Sequence, residues 1–355
     1  MAECPHCAAR VDARDRFCES CGSALSTGAG RLSSRSSDRT CRSCRATVGP
    51  DGYCDSCGRR CPVGRDRCEL DLGGIAAATD LGHRRSRNED AVAVGSVRAG
   101  RVAVVCDGVS SSPDADAAAN VAADTAIDTL LRALDEGTRP DVATVAAFRA
   151  AARAVATLGR STVTGDAPSC TFVSVVVGAD LRVTVGWAGD SRAYWVDDAL
   201  PGAPECLTVD DSLAGQLDAA GVDSTRLSLP PDAFGLTRWL GADAPTGDPH
   251  LATFSPSRTG AVVLCSDGLS RYLPSPAVLA QLTAVPTRTT AASAEAATAS
   301  APSAATAMTA ARRLTTFALN AGGIDNIAVA VIPVAVDALS GDHPQTDPRG
   351  APTDE

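Results

Sequence analysis

Short apolar runs rich in Val, Ala and Leu recur along the chain after residue 70, and turn residues bound each of them. Such runs are typical of strands that are buried on at least one face. They predict strands at 75–79, 91–94, 101–106, 170–177, 181–187, 260–265 and 326–334. Gly178-Ala179-Asp180 stands between two of these runs and predicts a hairpin turn.

Two longer stretches between the strands have apolar residues at helical spacing. Residues 114–134 and 141–158 are rich in Ala and predict two amphipathic helices, and a last helix is predicted at 311–321. Many strands joined by turns, with a helix pair inserted among them, predict an α+β fold with antiparallel sheets.

Two segments have a composition that leaves little to bury. Residues 285–312 are almost all Ala, Thr and Ser, with Pro286 and Pro302 as helix breakers, and predict a partly disordered low-complexity insertion. Residues 337–355 are polar and contain three prolines, which predicts a disordered tail.

Composition limits the classes of protein that need to be considered. The 355 residues allow one large domain and a small one, and 45% apolar residues support a filled core. A formal charge of −10 argues against nucleic-acid and anionic-membrane partners. The N-terminus lacks an export signal and no apolar run could span a membrane, so a cytoplasmic protein is expected. All the basic residues are arginines, which is typical of a GC-rich bacterial genome.

Cysteines concentrate at the start of the chain, where ten of the 14 precede residue 70. Eight of them form four Cys-x2-Cys pairs, which suit two tetrahedral thiolate sites for structural Zn²⁺ better than disulfides. The pattern resembles a double zinc ribbon, with ribbons at 1–22 and 41–70 and a flexible linker at 23–40. The predicted zinc ligands are Cys4, Cys7, Cys18, Cys21, Cys41, Cys44, Cys54 and Cys57.

The remaining cysteines have no clear partner. Cys61 and Cys68 fit neither ribbon and are spare ligands, an oxidisable pair or without function. The four later cysteines have small or apolar neighbours and are expected to be ordinary buried thiols (Cys106, Cys170, Cys206 and Cys265). Residues 1–70 hold 12 Arg against 9 Asp and Glu, and two Cys4 zinc sites would leave this module near neutral. A structural or protein-docking role is therefore expected for it.

Five short acidic motifs follow one another along the larger part of the chain, most of them at the edge of a predicted strand. Carboxylates at strand ends can meet in one cleft only if cations neutralise their charges. Oxygen ligands suit Mg²⁺ or Mn²⁺. The motifs are Arg85-Ser86-Arg87-Asn88-Glu89-Asp90, Cys106-Asp107-Gly108, Gly189-Asp190-Ser191-Arg192, Ser266-Asp267-Gly268 and Asp325-Asn326.

The order of these motifs, with Leu236-Thr237-Arg238-Trp239-Leu240-Gly241 among them, resembles the metal-dependent protein serine/threonine phosphatases of type 2C. The resemblance runs from about 75 to 336 and implies a catalytic domain at 71–336. It also implies the fold of that family, in which two packed antiparallel β-sheets are flanked on each side by helices.

The resemblance implies two Mn²⁺ or Mg²⁺ ions that bind the phosphate and activate a water. Asp107 is expected to bridge the two ions, and Gly108 to offer its backbone carbonyl to one of them. Asp267 and Asp325 are expected to hold one ion together.

Three further acidic residues have implied roles. Glu89 is expected to serve the other ion, largely through water, and Asp190 to help hold a third, weaker ion. Asp90 is expected to orient metal-bound water from behind the ligands. These residues and the four ligands above make up the implied metal site.

An arginine is implied as the clamp for the substrate phosphate. Arg85 stands four residues before Glu89, where the family has this arginine, and a planar guanidinium suits the task. Arg84 and Arg87 are neighbours that could replace it.

The chain departs from the family pattern at several positions. Val109 stands where some members have a His, and Ser110-Ser111 where a Gly pair is usual. Asp210-Asp211-Ser212 replaces Asp-His-Ser, and the short segment 221–235 implies a reduced substrate flap. None of these changes removes an implied metal ligand.

The sequence therefore predicts an enzyme that hydrolyses phosphoserine and phosphothreonine in proteins. Its partners would be phosphoproteins that are targets of a serine/threonine protein kinase, or that kinase itself. Two alternatives stay open: an inactive phosphatase-fold protein that binds partners, for which Ser110-Ser111 is the motivation, and a regulator driven by the zinc ribbons.

Overall fold

The computed structural model describes residues 66–159, 167–197, 204–273, 276–283 and 304–336, and before them only 2–3, 10–11, 20, 30–34, 44, 46 and 56–58. Its strands are β1 Ala2–Glu3, β2 Arg10–Val11, β3 Gly30–Ser33, β4 Arg67–Asp71, β5 Ala76–Asp80, β6 Ala91–Val97, β7 Gly100–Cys106, β8 Phe172–Gly178, β9 Val183–Ala188, β10 Arg192–Asp197, β11 Glu205–Cys206, β12 His250–Phe254, β13 Gly260–Cys265 and β14 Ile327–Val334. Its helices are α1 Ala115–Asp135, α2 Pro140–Leu158, α3 Leu213–Ala219, α4 Asp267–Ser270, α5 Pro276–Thr283 and α6 Ala304–Asn320, with 3₁₀ turns at Ser224–Arg226 and Pro231–Phe234.

Twelve of these strands form two six-stranded sheets. The first sheet has the order β11-β10-β13-β14-β5-β4, and the second has the order β12-β9-β8-β7-β6-β3. All strand pairs in both sheets are antiparallel. Tight turns join several neighbours, and Leu181 takes a left-handed conformation (φ 63°) in the predicted hairpin turn between β8 and β9.

The two sheets pack face to face over a core of small and β-branched side chains. Val92, Val105 and Val175 of the second sheet meet Ala77 and Leu264 of the first sheet in one buried cluster. This cluster contains only two aromatic residues, which agrees with the low aromatic content of the chain. Burial of its apolar surface, at about 25 cal/mol per Å², drives the pairing of the sheets.

Helices cover the outer face of each sheet. α1 and α2 pack on the second sheet through Ala-rich faces that include Ile127, Leu130 and Phe148. α5 and α6 pack on the first sheet around Leu279 and Leu314. The prediction of two packed antiparallel sheets flanked by helices is therefore confirmed.

Two predicted boundaries at the N-terminal side of this domain are wrong. Residues 30–33, assigned to a flexible linker, form β3 and pair with β6 at the edge of the second sheet, where Arg31 contacts Asp124 and Asp128 of α1. Residues 67–70, assigned to the second ribbon, belong to β4 of the first sheet. Ser, Gly and Arg are poor indicators of strand, so the composition concealed β3.

The last helix begins earlier than predicted. α6 starts at Ala304, inside the segment assigned to the low-complexity insertion, and Ala307 and Met308 pack against Ala76. Alanine side chains bury little surface singly, but they allow the helix to lie close to the sheet. Residues 285–303 and 337–355 lie outside the described residues.

The cysteine predictions divide by position. Of the predicted zinc ligands, only Cys44 and Cys57 lie within the described residues, and both are exposed. Cys68 is buried between the sheets, which raises the pKa of its thiol to about 11. Cys106, Cys170 and Cys265 are buried as predicted, whereas Cys206 is exposed, contrary to prediction. Among the described helices, none is long and apolar enough to cross a membrane.

Candidate active site

The strand register brings the acidic motifs to one end of the two sheets. Ala91 pairs with Cys106, so Glu89 and Asp90, which precede β6, lie beside Asp107, which follows β7. In the first sheet the last residue of β13 pairs with the first residue of β10 and with β14 near its start. This pairing gathers the motifs that flank those three strands: Asp190, Asp267 and Asp325.

The carboxylates are close enough to raise one another's pKa. Burial raises the pKa of Asp107 well above its ordinary value, and the charges of Asp90, Asp267 and Asp190 raise it further. The pKa of Asp90 is raised for the same reasons, with Asp267 the largest charged contributor. Burial and the charge of Asp267 raise the pKa of Asp190 to about 7. The site therefore holds more negative charge than the fold accommodates without counter-charges.

Two arginines supply part of the missing positive charge. Arg85 binds Asp325 through two contacts, Nε to Oδ1 at 2.7 Å and Nη2 to Oδ2 at 2.8 Å. Its Nη1 also donates to Ser110 Oγ at 2.9 Å. Arg271 contacts Asp267 directly and lies 3.3 Å from Asp325 Oδ2.

The structure separates Arg85 from its two neighbours. Arg87, one of the possible replacements, turns away and pairs with Asp116 of α1 at 3.0 Å. Arg84 is exposed. Of the three arginines, Arg85 is the one in contact with an acidic residue of the site.

Hydroxyl groups fix the loop that carries Asp107. The Asp107 amide donates to Thr171 Oγ1 at 2.9 Å, and the Thr171 amide donates to the Asp107 carbonyl at 2.8 Å. Thr171 Oγ1 lies 2.7 Å from Ser191 Oγ, next to Asp190. These bonds couple the Asp107 loop to the Asp190 turn.

Asn326 and Ser266 position the remaining motifs. Asn326 Oδ1 accepts from the Glu89 amide at 2.8 Å, and its Nδ2 donates to the carbonyls of Leu81 and Arg87. Ser266 Oγ donates to Asp90 Oδ2 at 2.7 Å and accepts from the Ala328 amide. Glu89 and Asp90 are thus held in place by residues of two other motifs.

A second acidic pair, Asp210 and Asp211, stands beside Asp190. Asp210 binds Arg192 through both oxygens, at 2.8 and 2.7 Å. Asp211 accepts from the Gly189 amide at 2.9 Å and contacts His250 Nε2 at 2.8 Å. The segment that departs from the family pattern therefore supports the Asp190 turn.

The donor set fits a divalent cation. The buried Asp90 Oδ1 has no hydrogen-bond partner in the described part of the chain, and the acidic residues offer only hard oxygen donors. Within the same residues, no three His, Cys, Asp or Glu side chains could hold a metal ion as they stand. Arg85 and Arg271 contact oxygens of Asp325 and Asp267 that are among the expected ligands.

Arg271 and Thr171 were not predicted as residues of the site, whereas Arg192 pairs beside it with Asp210, as expected for a structural residue next to Asp190. Arg271 lies four residues after Asp267, and that spacing on a helix was the available signal. Thr171 acts through contacts between elements distant in sequence, for which one sequence gives no signal.

Comparison with known proteins decides the family. The sequence matches protein phosphatase 2C over residues 81–301, more than half of the chain. The chain belongs to the protein phosphatase 2C family. This membership confirms the prediction of a metal-dependent protein serine/threonine phosphatase, while the role of each site residue stays a prediction. A comparison with curated proteins found no match.

Solved structures of bacterial phosphatases share the fold. The serine/threonine phosphatase PstP/Ppp of Mycobacterium tuberculosis is 25% identical, with a TM-score of 0.56, covering 74% of this chain and 99% of that one. MsPP, a PPM Ser-Thr phosphatase of Mycobacterium smegmatis in complex with cacodylate, is 27% identical, with a TM-score of 0.55 and coverages of 74% and 98%. The PstP catalytic domain with two manganese ions is 25% identical, with a TM-score of 0.53 and coverages of 75% and 100%.

Proposed function

We propose that this phosphatase of the 2C family hydrolyses phosphoserine and phosphothreonine esters of proteins at the cluster of acidic residues described above. The observation that carries the proposal is the convergence of the acidic motifs at one end of the sheets, with more carboxylates than counter-charges. The relatives that bind two manganese ions or cacodylate, a tetrahedral oxyanion, support the same site in this chain.

The residues that would hold two Mn²⁺ or Mg²⁺ ions, and a third weaker one, are all oxygen donors. When bound, the ions supply positive charge for the phosphate oxygens and lower the pKa of a water that attacks phosphorus. The proposed ligands are Glu89, Asp107, the carbonyl of Gly108, Asp190, Asp267 and Asp325. Asp90, held by Ser266, would accept a hydrogen bond from a water at the site.

Arg85 would orient the substrate. Its guanidinium stands at the rim of the site, about one third exposed, between Asp325 and Ser110. A guanidinium offers paired donors that match two phosphate oxygens, so Arg85 can exchange its carboxylate partner for the phosphate. Ser110 keeps one of its nitrogens fixed, which gives this departure from the family pattern a positioning role.

The N-terminal cysteines would bind two structural Zn²⁺ ions, and the module they form would dock protein partners. Cysteine spacing supports this part of the proposal. The substrates would be cytoplasmic phosphoproteins that are targets of a serine/threonine protein kinase, or the kinase itself. Metal analysis should find two zinc ions per chain, and Cys4→Ser with Cys41→Ser should remove both.

The test is hydrolysis of a phosphothreonine peptide by the full chain, with Mn²⁺ and with chelator. Asp107→Asn and Asp267→Asn should abolish Mn²⁺-dependent turnover. Asp141→Asn is the matched control, because Asp141 pairs with the exposed Arg139 at the start of α2, outside the acidic motifs, and should leave turnover unchanged.

Two results would contradict the proposal. Turnover that is equal with Mn²⁺ and with chelator would exclude the metal site. No turnover by a wild-type chain that binds Mn²⁺ would favour the alternative of an inactive, partner-binding protein.

A further inference from the structure

A cavity of about 470 Å³ adjoins the Asp107 loop, a volume within the range of ligand pockets. One wall is the loop that follows Asp107-Gly108, and the other is the segment 234–243, where the short flap ends. Most of the lining is apolar. The residues that face it are Val109, Ser111, Ser112, Ala167, Ser169, Phe234, Gly235, Leu236, Trp239 and Asp243.

Hydrogen bonds fix both walls to the same short segment, 169–170. The Val109 amide donates to the Ser169 carbonyl at 3.0 Å, and the Ser169 amide donates to Ser112 Oγ at 3.1 Å. On the other wall, Cys170 and Leu240 exchange two backbone hydrogen bonds, at 3.0 and 2.8 Å. The cavity is therefore preformed, and its position relative to Asp107 is fixed.

The chemistry of the lining favours an apolar occupant. Among the described lining residues, Asp243 is the one that carries a charge, and it accepts a hydrogen bond from Trp239 Nε1 at 3.1 Å, which leaves the ring of Trp239 as apolar surface. Phe234 is 57% exposed, so much of its ring is available for contact with an apolar side chain. None of the described residues in the lining is basic, so none of them attracts an acidic side chain.

The position of the cavity selects the occupant. Val109 stands two residues after Asp107, and an extended peptide advances about 3.3 Å per residue. A substrate whose phosphate lies at the acidic cluster therefore passes the cavity within about three residues of its phosphorylated residue. The site and the cavity share one loop, so a peptide that extends from the acidic cluster toward the segment 234–243 crosses the mouth of the cavity.

We propose that this cavity is a specificity subsite that takes an apolar side chain, such as Leu, Met or Phe, within three residues of the phosphoserine or phosphothreonine. The inference rests on the proposed function, since it assumes that the phosphate binds at the acidic cluster. Phe234 and Trp239 are the residues that would contact this side chain.

The experiment compares phosphothreonine peptides that differ at one position. Leu and Ser are placed in turn at each position up to three residues on either side of the phosphothreonine, and kcat/KM is measured for the full chain with Mn²⁺. Wild type should prefer Leu over Ser by about tenfold at one position, as expected for a buried apolar side chain. Phe234→Ser, a change at an exposed residue that should not disturb folding, should bring this ratio close to one.

The control is Val142→Ser, which removes an exposed apolar side chain (52% exposed) from α2 and should leave the ratio unchanged. Equal turnover of Leu and Ser peptides at every position would overturn the subsite but leave the phosphatase intact. A Leu preference that survives in both Phe234→Ser and Trp239→Ala would place the subsite elsewhere and also overturn the proposal. No turnover of any peptide would contradict the proposed function itself.

Discussion

Two groups of acidic residues lie side by side in this protein and differ in their counter-charges. In the pair Asp210 and Asp211, each carboxylate has its partners within the fold: Arg192 for the first, and the Gly189 amide and His250 for the second. Such a pair is complete as it stands, and it holds the Asp190 turn in place.

The acidic cluster of the site is not complete in this way. In the part of the chain that the structure describes, Arg85 and Arg271 form ion pairs with Asp325 and Asp267, while burial and the charges of neighbouring carboxylates raise the pKa of Asp90 and of Asp107. Acidic residues in excess of their fixed partners bind cations from solution, and protons compete with those cations. The ratio of carboxylates to fixed partners, rather than the number of carboxylates, therefore distinguishes the metal site from the structural ion-pair network.

The largest difference between the two groups should appear in catalysis. Asp107→Asn should lower kcat for p-nitrophenyl phosphate with Mn²⁺ by about a thousandfold or more, because it removes the carboxylate predicted to join the two ions. Asp210→Asn should lower it by about tenfold, through the displaced Asp190 turn. Similar losses of kcat in the two variants would contradict the distinction between a metal site and a structural pair.

In the absence of metal, substitutions in the two groups should change the stability of the fold in opposite directions. In chelator at pH 8, Asp107→Asn should stabilise the fold by about 1 kcal/mol, because it removes a buried charge that lacks a counter-charge. Asp210→Asn should destabilise it by about 2 kcal/mol, because Arg192, still partly exposed, loses its partner. Denaturant unfolding measures both, and a stabilised Asp210→Asn variant would contradict the assignment.

The pH dependence of stability should also separate the metal-free and metal-bound states. Asp190 has a folded pKa raised to about 7, so its contribution to stability is full below pH 4 and is lost as the pH rises from 4 to 7. In chelator, the unfolding temperature should therefore rise as the pH falls from 7.5 to 5.5. With excess Mn²⁺ it should fall over the same range, because protons compete with the ions.

Asp190→Asn is the control for this titration. It should flatten the dependence in chelator, since the variant lacks the titrating carboxyl. Parallel pH profiles with and without Mn²⁺ would show that the raised pKa values have no connection with metal binding.

A smaller effect is expected at Arg271, which competes with cations for Asp267 and Asp325. Arg271→Gln should raise the affinity for Mn²⁺ several-fold, because the ions no longer have to displace a guanidinium. Arg149→Gln, at an exposed pair, is the control. Unchanged or weaker Mn²⁺ binding by Arg271→Gln would mean that the arginine supports the site rather than competing for it.

Much of the fold and the positions of the acidic motifs were predictable from the sequence. Runs such as 102–106 and 261–265 are apolar throughout, and an Asp follows each of them within two residues, so the strand and the motif support each other's prediction. Because consecutive antiparallel strands run in opposite directions, the residues that precede β6 lie beside the residues that follow β7. This places Asp90 next to Asp107. These features depend on local pattern and on pairing rules.

The rest depended on contacts that local pattern does not contain. The contact of Arg271 with Asp325 joins the end of α4 to a residue two positions before β14, and Thr171 joins the Asp107 loop to Ser191. The start of α6 was not predicted, because an Ala-rich sequence indicates neither burial nor exposure. Ala307 and Met308, near the start of this helix, are buried against Ala76, and the sequence does not show that contact. β3 was missed because its pairing with β6, rather than its composition, makes it a strand.

Counting the Mn²⁺ ions bound by the full chain tests the central claim most directly. Titration followed by the paramagnetic resonance of free Mn²⁺ should give about two ions per wild-type chain and per Asp210→Asn chain, as a two-metal site requires. Asp107→Asn should bind at most one. Equal binding by wild type and Asp107→Asn, or no binding by wild type at millimolar Mn²⁺, would contradict the assignment of this cluster as the metal site.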